Sequence, residues 1–148
     1  MPLAVRYLAR RDRTAAQVEH FLRTRGASPV QVKHIIGRLS DLRYLNDRAY
    51  AERWIESSLA RRPMGRERLV AGLLAKGVTE EVAGRTVREA LRNLNDEALA
   101  RQALSNARRK DRRLTPVQSV RLLRQRGFEE ETIERIVRVR AGQRGVDL

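Results

Sequence analysis

At 148 residues the chain has room for one domain or a few small repeats, and its 32 basic against 18 acidic side chains leave a formal charge of +14. That excess, 29 arginines and three lysines, points to a polyanionic partner such as nucleic acid, a nucleoprotein or an anionic membrane surface. With no cysteine, and with His20 and His34 in no spacing relation to carboxylates, the sequence excludes disulfide frameworks, thiolate chemistry and zinc clusters.

The chain opens on "MPLAVRYLARR", whose apolar part is too short for a secretory signal and reads instead as a shortened helix over about residues 3–12. Thr14 then looks like a helix N-cap with Gln17 at N3, the capping-box arrangement. The helix it starts carries apolar residues at Val18, Phe21 and Leu22 and stops at Gly26. Ser28-Pro29 starts another, with Val32, Ile35 and Ile36 on one face.

The same sequence of signals returns twice. Asn46 reads as an N-cap for "DRAYAERWI", which places Tyr50, Trp54 and Ile55 on one side. Gly65, twelve residues before Gly77, is a weaker cap for a helix carrying Leu69, Gly72 and Leu73. After Gly77, Thr79 marks a helix whose buried face is Ala83, Thr86 and Val87. Asn95 repeats Asn46, with Leu99, Ala103 and Leu104 on the apolar side. Thr115, with Pro116 at N1 and Gln118 at N3, repeats Thr14 and leads through Ser119, Leu122 and Leu123 to Gly127. Ile133, Ile136 and Val137 complete the last stripe.

The three glycines are 51 and 50 residues apart, and a cation precedes each: Arg25, Lys76 and Arg126. A positive charge there complements the negative end of the helix dipole, and the glycine supplies the left-handed backbone that ends the helix. Self-similarity at this period is the signature of a repeat architecture. The reading is all-α: three tandem three-helix repeats over residues 2–43, 44–93 and 94–141, in an elongated curved array, with 142–148 as a frayed tail. With only six aromatic residues, no unit builds a large core alone, so neighbours must cover one another's faces. The units carry +6, +3 and +5, so the basicity runs along the array. The tripeptide Ala-Arg-Arg occurs at 9–11, 60–62 and 107–109, and it marks the basic end of each unit's first helix.

These motifs resemble those of the RecX family of RecA regulators, along residues 7–140. The most specific stretch is "LRYLNDRAYAERWIESSLARRPMGRERLVAGLLAKGV" at 42–78. There Leu45, Asp47, Tyr50, Ala51, Trp54, Arg61, Arg62, Gly65, Leu69, Lys76, Gly77 and Val78 fall on the family pattern. Gly127-Phe128 is similar to the hallmark of its closing unit. Asn46 stands where aspartate is usual and Tyr50 where phenylalanine is usual, and neither changes the expected fold. The resemblance implies a protein that lies in the groove of the RecA–single-stranded DNA filament and inhibits ATP hydrolysis, strand exchange and co-protease activity. Separately, a monomer is expected, with direct contact to single-stranded DNA as a further expectation and the cytoplasm as the default compartment.

No catalytic triad, carboxylate pair, metal spacing or phosphate loop is present, so neither an enzyme nor a cofactor is expected. No apolar run approaches the roughly 18 residues of a membrane span. The expected partner contacts are the clusters at helix ends: Arg10, Arg11 and Arg13; Arg61, Arg62 and Arg66; and Arg108, Arg109, Lys110, Arg112 and Arg113. Two rival readings are a direct DNA binder built of helix-turn-helix-like pairs and a generic helical adaptor. The first sits poorly with second helices that bury a broad face instead of projecting base-reading side chains.

Overall fold

The structure, a computed structural model, describes residues 2–92, 94–110 and 113–146, the side chains of 109–110 and 139–146 excepted. Among the described residues there are nine helices and no strand. In chain order they are α1 (Pro2–Arg10), α2 (Ala15–Thr24), α3 (Pro29–Asp41), α4 (Asp47–Arg61), α5 (Arg66–Ala75), α6 (Glu80–Arg92), α7 (Asp96–Lys110), α8 (Pro116–Gln125) and α9 (Glu130–Val146).

The caps expected from sequence are in place. Thr14, Ser28 and Thr115 each accept from the N–H of the residue three ahead, while Gln17, Gln31 and Gln118 reach back to the capping residue's N–H. These reciprocal bonds satisfy donors that a helix start leaves unpaired. Asn46 accepts from Ala49 N–H, and Asn95 from the N–H groups of Glu97 and Ala98. Gly26, Gly77 and Gly127 have φ of 88°, 91° and 82°. At the equivalent end of α3 the left-handed residue is Arg43, with φ 65°.

The helices pack in threes around separate cores. The first core gathers Ala4, Val18, Leu22, Val32, Leu39 and Leu45. The second is built on Tyr50, Ala51, Ile55, Leu69, Leu73, Val78, Ala83 and Val87, and the third on Ala100, Leu104, Leu123, Phe128, Ile133 and Ile136. Thr86, polar within the α6 stripe, is buried because its hydroxyl donates to Val82 O at 2.6 Å within its own helix. The total accessible surface is 10390 Å², against about 7,700 Å² for a compact chain of this mass. The excess is what an elongated array of small cores requires.

The units fill their cores differently. In the second, Trp54 lies directly over Gly72, where a Cβ would collide with the indole Cη2 and Cζ2. In the first, Phe21 occupies the position of Gly72 and stacks on Tyr7, ring centroids 4.0 Å apart and 3° from parallel. A large residue on the first helix with none on the second is exchanged for an aromatic pair.

The units join through α2, α5 and α8, which meet end to end. Thr14 Oγ1 donates to Lys76 O at 2.7 Å, so the start of α2 is seated on the end of α5. Asp47 adds a second bond, accepting from Ala15 N–H at 2.9 Å. The start of α5 is seated on the end of α8 in the same way: Gly65 N–H donates to Arg126 O at 2.7 Å, and Glu67 N–H to Gly127 O at 3.1 Å. At the second joint the main-chain donors of one helix start thus meet the carbonyl acceptors of another helix end, positive dipole end to negative, whereas at the first a side-chain hydroxyl makes the bond.

Gly65 is the N-cap of α5, as expected, and makes no side-chain bond there. It is glycine because a Cβ would strike Gly127 O and Phe128 Cα, and α8 supplies the capping acceptors from outside. The third Ala-Arg-Arg lies in the last turn of α7, which ends one residue beyond it at Lys110. Counted from the caps Asn46 and Asn95, α4 and α7 are the same length, and the third tripeptide sits two residues early. Finally, α9 continues to Val146. Gly142 within a helix costs only about 1 kcal/mol, too little to stop it.

Candidate polyanion interface

The basic residues singled out by sequence separate into two groups once their partners are known. One group is committed to contacts within the protein. Arg13 lies over the Tyr7 ring at 4.5 Å, on the Tyr7–Phe21 stack of its own unit, and its Nε is buried with no hydrogen-bond partner among the described residues. Arg66, the first residue of α5, faces Glu129 at 3.5 Å across the second joint. Sequence reading placed both among the partner contacts because it could see charge and not neighbours.

The other group is exposed and has no ion pair among the described residues. Arg10 ends α1 and Arg11 follows it. Arg61 ends α4, and Arg62 caps that helix in extended backbone, φ −150° and ψ 139°. Arg108, on α7, and Arg113, ahead of the Thr115 cap, are exposed as well. The side chains of Arg109 and Lys110, and Arg112 altogether, lie outside the described residues.

Several arginines not singled out by sequence do structural duty. Arg53 Nε donates to Asp12 at 2.6 Å across the first joint, and that bond raises the Arg53 pKa. Arg68 Nη1 donates to Gln125 O at 2.8 Å across the second. Arg48 bridges Glu52 and Glu89, tying α4 to α6. Arg126, recognised from sequence only as a complement to the helix dipole, lines a cleft with Arg61 and Arg62. Burial, then Arg62 and Arg68 beside it, push its pKa down. No periodicity signal marks that cleft, because it forms between units.

Among the described residues no group of histidine and carboxylate side chains could hold a metal ion, and no helix is long and apolar enough to cross a membrane. What the surface offers is guanidinium groups at helix ends, repeated along an elongated scaffold. Such a surface suits a partner presenting many negative charges in a row.

Comparison with known proteins gives this scaffold a family. Residues 3–39 match the first three-helix domain of RecX, and residues 46–87 match the second. The regulatory protein RecX of Thermobifida fusca is 30% identical, over 99% of this chain and 80% of its own length. That of Thermus thermophilus is 39% identical, over 84% of this chain and 80% of its own. The crystal structure of RecX from Lactobacillus salivarius superposes with a TM-score of 0.79 at 23% identity, covering 93% of this chain and 91% of the other. That last likeness is one of fold. Taken with the sequence matches, it leaves one conclusion: the chain belongs to the RecX family of regulatory proteins.

Proposed function

We propose that this chain is a negative regulator of the RecA recombinase that binds the assembled RecA–single-stranded DNA filament. It lies along the filament groove, bridges neighbouring protomers, and inhibits ATP hydrolysis, strand exchange and co-protease activity. It acts as a cytoplasmic monomer, without cofactor and without catalysis of its own. The observation that supports this reading is the recurrence, at the ends of α1, α4 and α7, of exposed cations with no ion pair among the described residues, in a chain of the RecX family. Many modest charge contacts on a long scaffold add up along a polyanion, whereas a single pocket would not need the array.

The test is RecA's DNA-dependent ATPase on preformed filaments, titrated with this protein. Inhibition well below the amount needed to coat the strand, and not relieved by excess single-stranded DNA, is the expected result. Inhibition only at coating stoichiometry would mean that the protein sequesters DNA, as the helix-turn-helix reading requires.

A further inference from the structure

The two joints between units are built from equivalent residues, yet they differ in charge. At the first, the chain leaves α1 through Asp12, whose carboxylate accepts from Arg53 Nε at 2.6 Å. Fifty-one residues later Pro63 stands in place of Asp12, and Gln102 stands on α7 where Arg53 stands on α4. The acid is gone and the surrounding cations remain. Arg61, Arg62 and Arg126 line, with Pro63 and Asn106, a cleft of about 230 Å³ between the end of α4, the side of α7 and the end of α8. None of the three guanidiniums has an ion pair among the described residues. Arg68 adds a further like charge beside Arg126. Gathering like charges without a counterion costs free energy in the free protein, and an anion in the cleft relieves it.

The geometry points to this cleft as a phosphate-binding site, taking a phosphodiester group of a single-stranded nucleic acid. Its lining donors come from the ends of α4 and α8 and from the side of α7, an arrangement that matches a tetrahedral anion with oxygens facing several ways. A planar carboxylate is satisfied by one guanidinium edge, as Glu130 is here by Nε and Nη2 of Arg124. The first joint, neutralised internally by Asp12, offers no such site. The assignment deepens the function proposed above and rests on it for the presence of a DNA strand within reach.

The test is fluorescence anisotropy with a labelled oligothymidylate over a salt series, using the full chain, Arg126→Gln and Asn106→Asp. Asn106→Asp is nearly isosteric and puts a carboxylate where the anion binds, giving the second joint the charge that Asp12 gives the first. Both variants are expected to lose affinity several-fold and to flatten the log–log salt slope by about 0.7, one phosphate contact on a single strand. Asn106→Asp should keep its melting temperature, which separates lost binding from lost folding. Unchanged affinity and slope in both variants would overturn the assignment. The same proteins added to RecA filaments distinguish the two proposals. Lost ATPase inhibition with unaltered oligothymidylate binding would mean that the cleft takes a protein carboxylate, overturning the phosphate site and leaving the regulatory reading intact. Cleft-dependent oligothymidylate binding with no effect on RecA would support the site and remove the regulatory reading.

Discussion

The hydroxyl of Thr14 donates to the main-chain carbonyl of Lys76, 62 residues away, while accepting from Gln17 N–H in its own helix. One fully buried side chain therefore both caps α2 and closes the first joint. Thr115 makes the same capping box, exposed to solvent and with no second unit to hold. Thr115→Ala should cost about 1 kcal/mol, the value of a cap. Thr14→Ala loses the cap and leaves the Lys76 carbonyl short of a donor, so about 2–3 kcal/mol is expected. Chemical denaturation of the two variants compares them directly. Equal costs would show that the inter-unit bond contributes nothing.

The glycines extend the comparison. All three have positive φ, but their surroundings differ. A Cβ on Gly26 would meet nothing within 4 Å, whereas on Gly77 it would strike Ala16 Cβ and on Gly127 the backbone N of Arg68. Asparagine tolerates the left-handed region, so Gly26→Asn should cost about 1 kcal/mol or less. Gly77→Asn and Gly127→Asn add overpacking of about 1–3 kcal/mol, because the new carbon meets the neighbouring unit. Backbone strain alone would make the three costs equal. Ala16→Gly should relieve Gly77→Ala and leave Gly26→Ala unaffected, since the contact relieved exists at one joint only.

This contrast also shows how far the sequence could be read. Caps, glycine stops and apolar stripes are local signals, and nine helices with their faces followed from residues such as Thr14, Gly26 and Ile133. The joints are relations between residues about 62 apart, and no periodicity encodes them. Gly65 looked like a poor cap because the carbonyl acceptors that replace a cap belong to α8. For the same reason the basic residues could be listed but not sorted. Arg13 and Arg66 differ from Arg61 and Arg62 only in what stands opposite them. Arg126, at the heart of the cleft, carried a sufficient explanation in its own helix and gave no sign of a second role.

Trp54 and Gly72 form a pair in which each fits because of the other. Trp54 packs against the second core and is only partly buried, so Trp54→Ala should cost about 3 kcal/mol, the lower end for a large aromatic. Gly72→Ala gains helix propensity of about 1 kcal/mol but drives a methyl into the indole. In the Trp54→Ala background that collision is gone, and Gly72→Ala should turn from destabilising to stabilising. A double-mutant cycle followed by thermal unfolding reads the sign change. Additive effects would mean that the indole moves aside without cost.

Asp96 gives a dependence on pH. Burial, with Glu129 beside it, raises its carboxyl pKa above 3.8, and Arg66 only partly opposes the rise. Its Oδ1 is buried with no hydrogen-bond partner among the described residues, unlike Asp47, which accepts from Ala15 N–H. The folded state therefore holds this proton more tightly than the unfolded state does. The stability contributed by the protonated form is full below the unfolded pKa and is lost as pH rises through the folded one. Asp96→Asn removes that loss, so the variant's stability relative to the parent should increase from about pH 4 upward and then level off. Urea unfolding at several pH values measures the difference. A difference that shrinks over this range would place Asp96 among carboxylates stabilised by their charge.

The sorting of arginines predicts two separable phenotypes. Arg13→Ala removes a cation stacked on Tyr7 and the packing of its stem, and Arg66→Ala removes the contact with Glu129. Both should lower the melting temperature, by amounts matching about 1 kcal/mol each. In the RecA ATPase assay, well below their melting temperatures, both should inhibit nearly as the parent does. Arg61, Arg62, Arg108 and Arg113 have no ion pair among the described residues, so replacing them by alanine together should leave the melting temperature in place. That variant should inhibit poorly, and what inhibition it keeps should depend less on salt, because released counterions scale with the number of charges neutralised. Any one of the four changes alone should have a modest effect, since the contacts are spread along the array. A quadruple variant that inhibits fully would show that these cations are solvated helix ends, and that the partner is gripped by another face of the molecule.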